Sequence, residues 1–182
     1  MRFLVVLAVG LAITAGPVSA AMPQRAAGVQ RQESLEREVL RELNRVRAGH
    51  DLQPVRQVPG LRIPAVAHSR AMLELDFFDH ASADGTTFDK RLRAYYTNRG
   101  WQTWSVGETL LATSEGLDAR QMVAEWIKSK SHRAIILSPT WRDVGIGAQY
   151  AAAPPSTFGG VPTVIVTADF GLRAGRLTEP NG

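Results

Sequence analysis

The chain has 182 residues, 45% of them hydrophobic, a length that suits one domain with its own core. It has no cysteine, which excludes disulfides, thiolate metal sites, iron–sulfur clusters and a thiol nucleophile. Its formal charge is +4, but the basic residues, nearly all arginine, are spread among acids, so no basic run with interleaved aromatics points to nucleic acid.

In chain order, Arg2 is followed by the apolar run Phe3 to Ala15, then Gly16-Pro17 and Val18-Ser19-Ala20. This reads as a secretory signal peptide over residues 1–20, cut after Ala20 or Ala21. The run is too short to span a bilayer comfortably, and no second apolar segment is long enough. The mature chain, about +3, is therefore expected to be secreted or periplasmic, with no transmembrane segment. Residues 21–33 read as a flexible leader.

Ser34 offers an N-cap, and Leu35, Val39, Leu43 and Val46 recur at helical spacing, so a helix is predicted from 34 to about Gly49. Residues 50–60 read as a loop. A second helix follows with Pro64 in its first turn and Leu61, Ala65, His68, Met72 and Leu75 on one face. Thr86-Thr87 caps a short third helix that runs to Tyr96. Residues 97–103 loop back to a strand over Trp104–Ala112. Gly116 to Lys130 carries the apolar stripe Ala119, Met122, Val123, Trp126 and Ile127 of an amphipathic helix. Ser131 caps a short helix stopped by Ser138-Pro139. Two strands close the domain, over 143–150 and 163–171. In the first, Val144, Ile146 and Ala148 share one face. Gly145 and Gly147 lie opposite, where bare backbone lets another element approach closely. Helices around a small, mostly antiparallel sheet place the chain in the α+β class.

Four histidines carry the candidate chemistry. His50 lies in a polar loop and reads as solvated. His68 lies on an apolar helix face and reads as a core histidine satisfied by a carbonyl. His80, in "FFDHASADG", and His132 each sit at the edge of an apolar element, followed by small or polar residues. Asp84-Gly85 reads as a turn, with Ser82 or Asp84 bonding the backbone. Glu108 shares a strand face with Trp104, Val106 and Leu110. If buried, it needs a cation or a protonated histidine. The alternative is an edge strand with Glu108 in water.

The segments "LNRVRAGHDLQPV" (43–55), "AHSRAM" (67–72), "FFDHASADG" (77–85), "VGETL" (106–110), "WIKSKSHRAIIL" (126–137), "DVGIGAQY" (143–150) and "TADFG" (167–171) come in an order that resembles the CAP superfamily, also called SCP/PR-1-like, in a short cysteine-free bacterial form. The resemblance implies a three-layer α-β-α sandwich over residues 34–171, with 172–182 as a C-terminal tail. It implies a cleft with two histidines and acids, carried over to His80, Glu108 and His132, which in some members holds a divalent metal, usually zinc. Two imidazoles and a carboxylate are a workable zinc set with a fourth position open. The family's second glutamate is replaced by Ser129; Glu125, on the same helical face, is either its substitute or a surface charge. Family asparagines are replaced by Thr109 and Ile135, which alters the surroundings of any metal. Asn44 and Arg47 match a first-helix pair with a structural role. Arg133 either pairs with an acid by the cleft or covers apolar surface.

Three functions stay open. The cleft binds a small ligand, lipid, glycan or peptide; or a metal-bound water or a His–Glu pair hydrolyses a peptide or cell-wall bond; or the cleft is vestigial. No catalytic residue is assigned: the chain has no HExxH and no GxSxG motif, and Ser131 is a poor neighbour for attack beside His132.

Overall fold

The computed structural model describes residues 28–114 and 116–177. The signal-peptide reading, residues 21–27 of the leader and residues 178–182 lie outside them. The elements are β1 (Gln30–Arg31), α1 (Glu33–Ala48), β2 (Arg56–Gln57), α2 (Pro59–Glu74), α3 (Phe88–Arg93), β3 (Trp101–Thr113), α4 (Ala119–Lys128), α5 (Lys130–Ile136), β4 (Asp143–Ala151) and β5 (Thr163–Arg176).

The sheet runs β1-β4-β5-β3, with β2 also on β4. All pairings are antiparallel except the short β2–β4 pair; β4 returns directly into β5, while β3 reaches the sheet's other strands through α4 and α5 and pairs with β5. Alternation on β4 and β5 divides the core. Val144, Ile146, Ala148, Val166, Ala168 and Phe170 pack against Val39 and Leu43 of α1 and Met122 and Trp126 of α4. The opposite face lies under α2, where Met72 and Leu73 meet Leu110 and Ile165. Helices on both faces make the three-layer α-β-α sandwich of the α+β class.

Gly145 and Gly147 do what their sequence positions imply. A Cβ on Gly145 would lie 2.1 Å from the Leu61 carbonyl carbon, and one on Gly147 2.4 Å from that of Ala65. The α2 backbone therefore rests directly on β4.

Several sequence-based boundaries move. α1 starts at Glu33 after Gln32, and Ser34 does not cap it. α2 starts at Pro59, where the missing N–H costs nothing; Pro64 lies inside the helix and forgoes one backbone bond. Leu75, expected on the buried face, follows the last turn and is exposed. α3 ends at Arg93, short of Tyr96. α4 starts at Ala119, under a capping box in which Asp118 and Gln121 satisfy each other's backbone N–H groups. α5 takes Ser129 rather than Ser131 as its N-cap residue. β3 starts at Trp101, inside the expected loop, because it pairs with β5 as far as Arg176. Residues 172–176, read as tail, are thus strand, and Gln30–Arg31, read as leader, pair with β4.

Candidate functional site

Glu108 sits in the middle of β3, and β3 is the last strand of the sheet path. An edge position would allow Glu108 to reach water, yet its side chain is 0% exposed. It faces the α2 layer, in register with Asp169 of β5. Two elements outside the sheet cover it: the loop after α2, which carries His80, and α3, which carries Arg91.

The loop is built for this task. The Asp79 carboxylate accepts from the Ala81 N–H at 2.7 Å and that of Asp84 from the Thr86 N–H at 2.9 Å. The Gly85 N–H donates to the Ser82 carbonyl at 2.8 Å, and Gly85 takes φ +81°, a conformation that favours glycine. His68 anchors the start of the loop: its Nε2–H donates to the Asp79 carbonyl at 2.9 Å. It is the satisfied core histidine the sequence suggested. Burial pushes its pKa down, and the Arg91 charge adds to this, so it stays neutral.

His80 then donates from Nδ1 to Glu108 Oε1 at 2.7 Å. Arg91 donates from Nη2 to Glu108 Oε2, and its Nη1 holds the His80 carbonyl at 2.9 Å and Ser82 Oγ at 3.1 Å. Arg91 therefore ties the loop and the carboxylate together. The Arg91 side chain is only 10% exposed, whereas that of His80 is 51% exposed. The bond to Glu108 raises the His80 pKa above its ordinary value against the pull of burial. Burial opposes ionisation of Glu108, but the His80 bond and the Arg91 charge outweigh it and hold its pKa below the usual value. Asp169 is the opposite case. It is fully buried, neither of its oxygens meets a donor among the described residues, and the Glu108 carboxylate lies beside it. Burial and that like charge push its pKa well above the usual carboxylate range. A protonated Asp169 can donate to Glu108.

The remaining candidates lie further out. His132, on α5, is half-buried; burial and the His80 charge both lower its pKa, so the two imidazoles act on one another. Glu125 is exposed on α4 and pairs with Lys128 at 2.5 Å. It does not share the interactions of His80 and Glu108. Ser129 Oγ and Ser131 Oγ bond each other at 3.0 Å, and Arg133 donates to the Ile127 carbonyl at 3.1 Å rather than to an acid. Asn44 brackets the Val55 backbone, and Arg47 holds the carbonyls of Gln53, Ile136 and Ser138; both roles are structural.

The zinc expectation meets a difficulty in this geometry. Both Glu108 oxygens are engaged, one by His80 and one by Arg91, a cation already in place. Among the described residues, no three His, Asp or Glu side chains are arranged to hold a metal ion. Glu108 as it stands is therefore not free to ligate a metal, whereas a carboxylate that accepts the Nδ1–H of His80 would support an ion bound at Nε2.

The sequence model of the cysteine-rich secretory protein family, CAP, matches residues 40–170. The chain belongs to the CAP family. No curated protein matches it. Among solved structures, an extracellular SCP-domain protein from Bacillus anthracis aligns with TM-score 0.60 and 21% identity, over 76% of this chain and 40% of that one. An outer surface protein from Borrelia burgdorferi aligns with TM-score 0.61 and 17% identity, over 81% of this chain and 100% of that one. A cysteine-rich secretory protein from Staphylococcus aureus gives TM-score 0.51 and 14% identity, over 79% and 40%. The chain thus spans 40% of the length of the Bacillus and Staphylococcus proteins. At these identities the likeness shows the CAP fold. Arg91 and Asp169 were missed by sequence reading. Arg91 is one of three basic residues in Phe88–Arg93, and nothing in their spacing singles it out. Asp169 did carry a signal: it is the one acid in the apolar run "TVIVTADFG".

Proposed function

We propose that this CAP domain is an exported binding module whose His80 cleft recognises a hydrogen-bond acceptor on a small ligand, peptide, lipid or glycan. The observation that carries this reading is the asymmetry of the His80–Glu108–Arg91 group. The carboxylate is buried and doubly engaged, while half of the imidazole surface faces solvent. Nδ1 is fixed on Glu108, so Nε2 is left as the outward donor, and the raised pKa favours the cationic form. A preorganised cationic donor beside a neutral His132 suits recognition of a carbonyl or carboxylate. Export is supported by the N-terminal sequence and by solved relatives described as extracellular, outer surface or secretory. Among the described residues, no helix is long and apolar enough to cross a membrane.

A thermal-shift screen with acylated peptides, fatty acids and cell-wall glycan fragments tests this. At least one compound should raise the melting temperature of the wild type and not that of His80→Ala. A screen with no shift, or the same shift in both proteins, would remove the reading.

One observation favours hydrolysis as a second reading: His80 and His132 are pushed in opposite directions, as an acid–base pair requires. Turnover of a peptide or cell-wall substrate, lost in both His80→Ala and His132→Ala, would establish it.

A further inference from the structure

The first residues of β3 pair with the last of β5, beyond the point where β4 begins at Asp143. A cavity of about 480 Å³ opens there, lined by Arg56, Val58, Trp101, Arg142, Asp143 and Arg173 among others. It is separate from the His80 cleft. Trp101 and Glu108 lie seven residues apart on the same strand, roughly 23 Å at about 3.3 Å per residue.

The cavity holds three guanidinium groups and one carboxylate, and that carboxylate is already engaged. Asp143 accepts from the Tyr96 hydroxyl at 2.8 Å and from Arg56 Nη2 at 3.3 Å. Arg142 gives Nη1 to the carbonyls of Pro139, Thr140 and Trp141, and among the described residues it pairs with no acid. Arg173 lies over the Tyr96 ring at 4.0 Å and near the Trp101 ring at 5.3 Å. These contacts hold its planar group in place, yet its Nε is buried with no acceptor among the described residues. An unmet buried donor is costly, and a cation over an aromatic face keeps its outer N–H groups available. Behind the wall, buried Arg47 donates to the carbonyl of Gln53, which also lines the cavity. Positive charge therefore exceeds negative charge in a recess with low-dielectric walls, where fields are focused.

We propose that this cavity is an oxyanion site that takes a small ligand bearing a phosphate or a carboxylate. Guanidinium forks match either group through paired N–H donors. Arg173 is the fixed donor, and Arg56, with a side chain 79% exposed, closes from the rim.

Calorimetric titration with inorganic phosphate and, separately, with glucuronate tests the site at low and moderate salt. The expected result is saturable binding in at least one arm, weakened by salt and at least tenfold weaker in Arg173→Gln. The tighter arm names the source of the oxyanion. Arg173 also packs on Tyr96, so Arg56→Gln, a surface change, serves as the second variant and should weaken binding about threefold. His80→Ala should bind like wild type. No saturable binding in either arm, unchanged affinity in both arginine variants, or a loss in His80→Ala alone would overturn the proposal. A loss in His80→Ala alone would place the binding in the His80 cleft instead; the other outcomes leave that reading to its own probes.

Discussion

Asp169 is an acid that the fold keeps from ionising. It is fully buried, finds no donor among the described residues and lies beside the charged Glu108. The sign of its effect on stability follows from the raised native pKa. Above about pH 4 the unfolded chain gives up this proton while the folded chain keeps it, so stability falls as pH rises toward the native value. Asp169→Asn removes that penalty and keeps a donor beside Glu108. It should be more stable than wild type at pH 7 by about 1 kcal/mol or more, a gain of roughly 2–4 °C in a domain of this size. Its stability should also vary less with pH above 4. Urea melts at pH 5 and pH 7 check both points; a variant less stable than wild type at pH 7 would mean an ionised, partnered Asp169. His80 has the same sign with another cause. Its raised pKa means that the pair with Glu108 stabilises the fold fully below about pH 6.5 and loses that contribution as pH rises through the native value. Ring-proton NMR should show His80 titrating above, and His132 below, the ordinary histidine value. In Glu108→Gln the His80 value should drop. Because this change leaves Arg91 buried without its charge partner, it should also cost about 3 kcal/mol. A His80 titration that Glu108→Gln does not move would detach the two residues.

The elements explain how such a group can be buried on an edge strand. Among the described residues β3 has no strand beyond it, and the His80 loop with α3 closes its α2 face instead. That closure depends on where α2 rests, and α2 rests on glycine backbone. Gly145→Ala and Gly147→Ala would set a methyl group 2.1 to 2.5 Å from main-chain atoms of α2. Main chain in a packed helix cannot rotate away as a side chain can, so each change should cost at least about 3 kcal/mol, the upper end for overpacking. Chemical denaturation of either variant checks this; a loss under about 1 kcal/mol, the low end of that range, would mean that α2 lifts freely. The glycine pair was legible in the sequence because it broke the alternation of an apolar strand. So were the helical stripes around Val39, Met122 and Trp126, and the core role of His68. The ends of elements were not legible. Trp101 and Gln102 look like loop until Arg176 and its neighbours are there to pair with, and those partners lie far along the chain. Arg91 was hidden for a related reason. A surface arginine and an arginine that locks a buried carboxylate look the same until the distant strand is in place.

For the whole molecule, the question is which cation this fold supplies to its own buried acid. The sequence allowed zinc, with His80, Glu108 and His132 as a converging set. The folded chain delivers Arg91 from α3 to the same carboxylate, and the bond from His80 takes the other oxygen. To ligate Glu108 directly, a zinc ion would have to displace a guanidinium that is 10% exposed and also holds the His80 carbonyl. Such a displacement strands a buried charge, a penalty of about 3 kcal/mol or more, which is over a hundredfold in affinity. Zinc titration by calorimetry at pH 7 should therefore give at most weak binding with the wild type, through imidazole nitrogens without Glu108 as a ligand. Arg91→Gln frees Glu108 Oε2 and loosens the loop that carries His80. If the two histidines can converge at all, this variant should bind zinc more tightly than the wild type. Tight binding by the wild type that disappears in the His80→Ala/His132→Ala double variant would reverse the argument. It would mean either that Arg91 yields its place or that the imidazoles hold the ion with Glu108 behind His80, and Arg91→Gln separates the two, since only the first gains affinity in that variant.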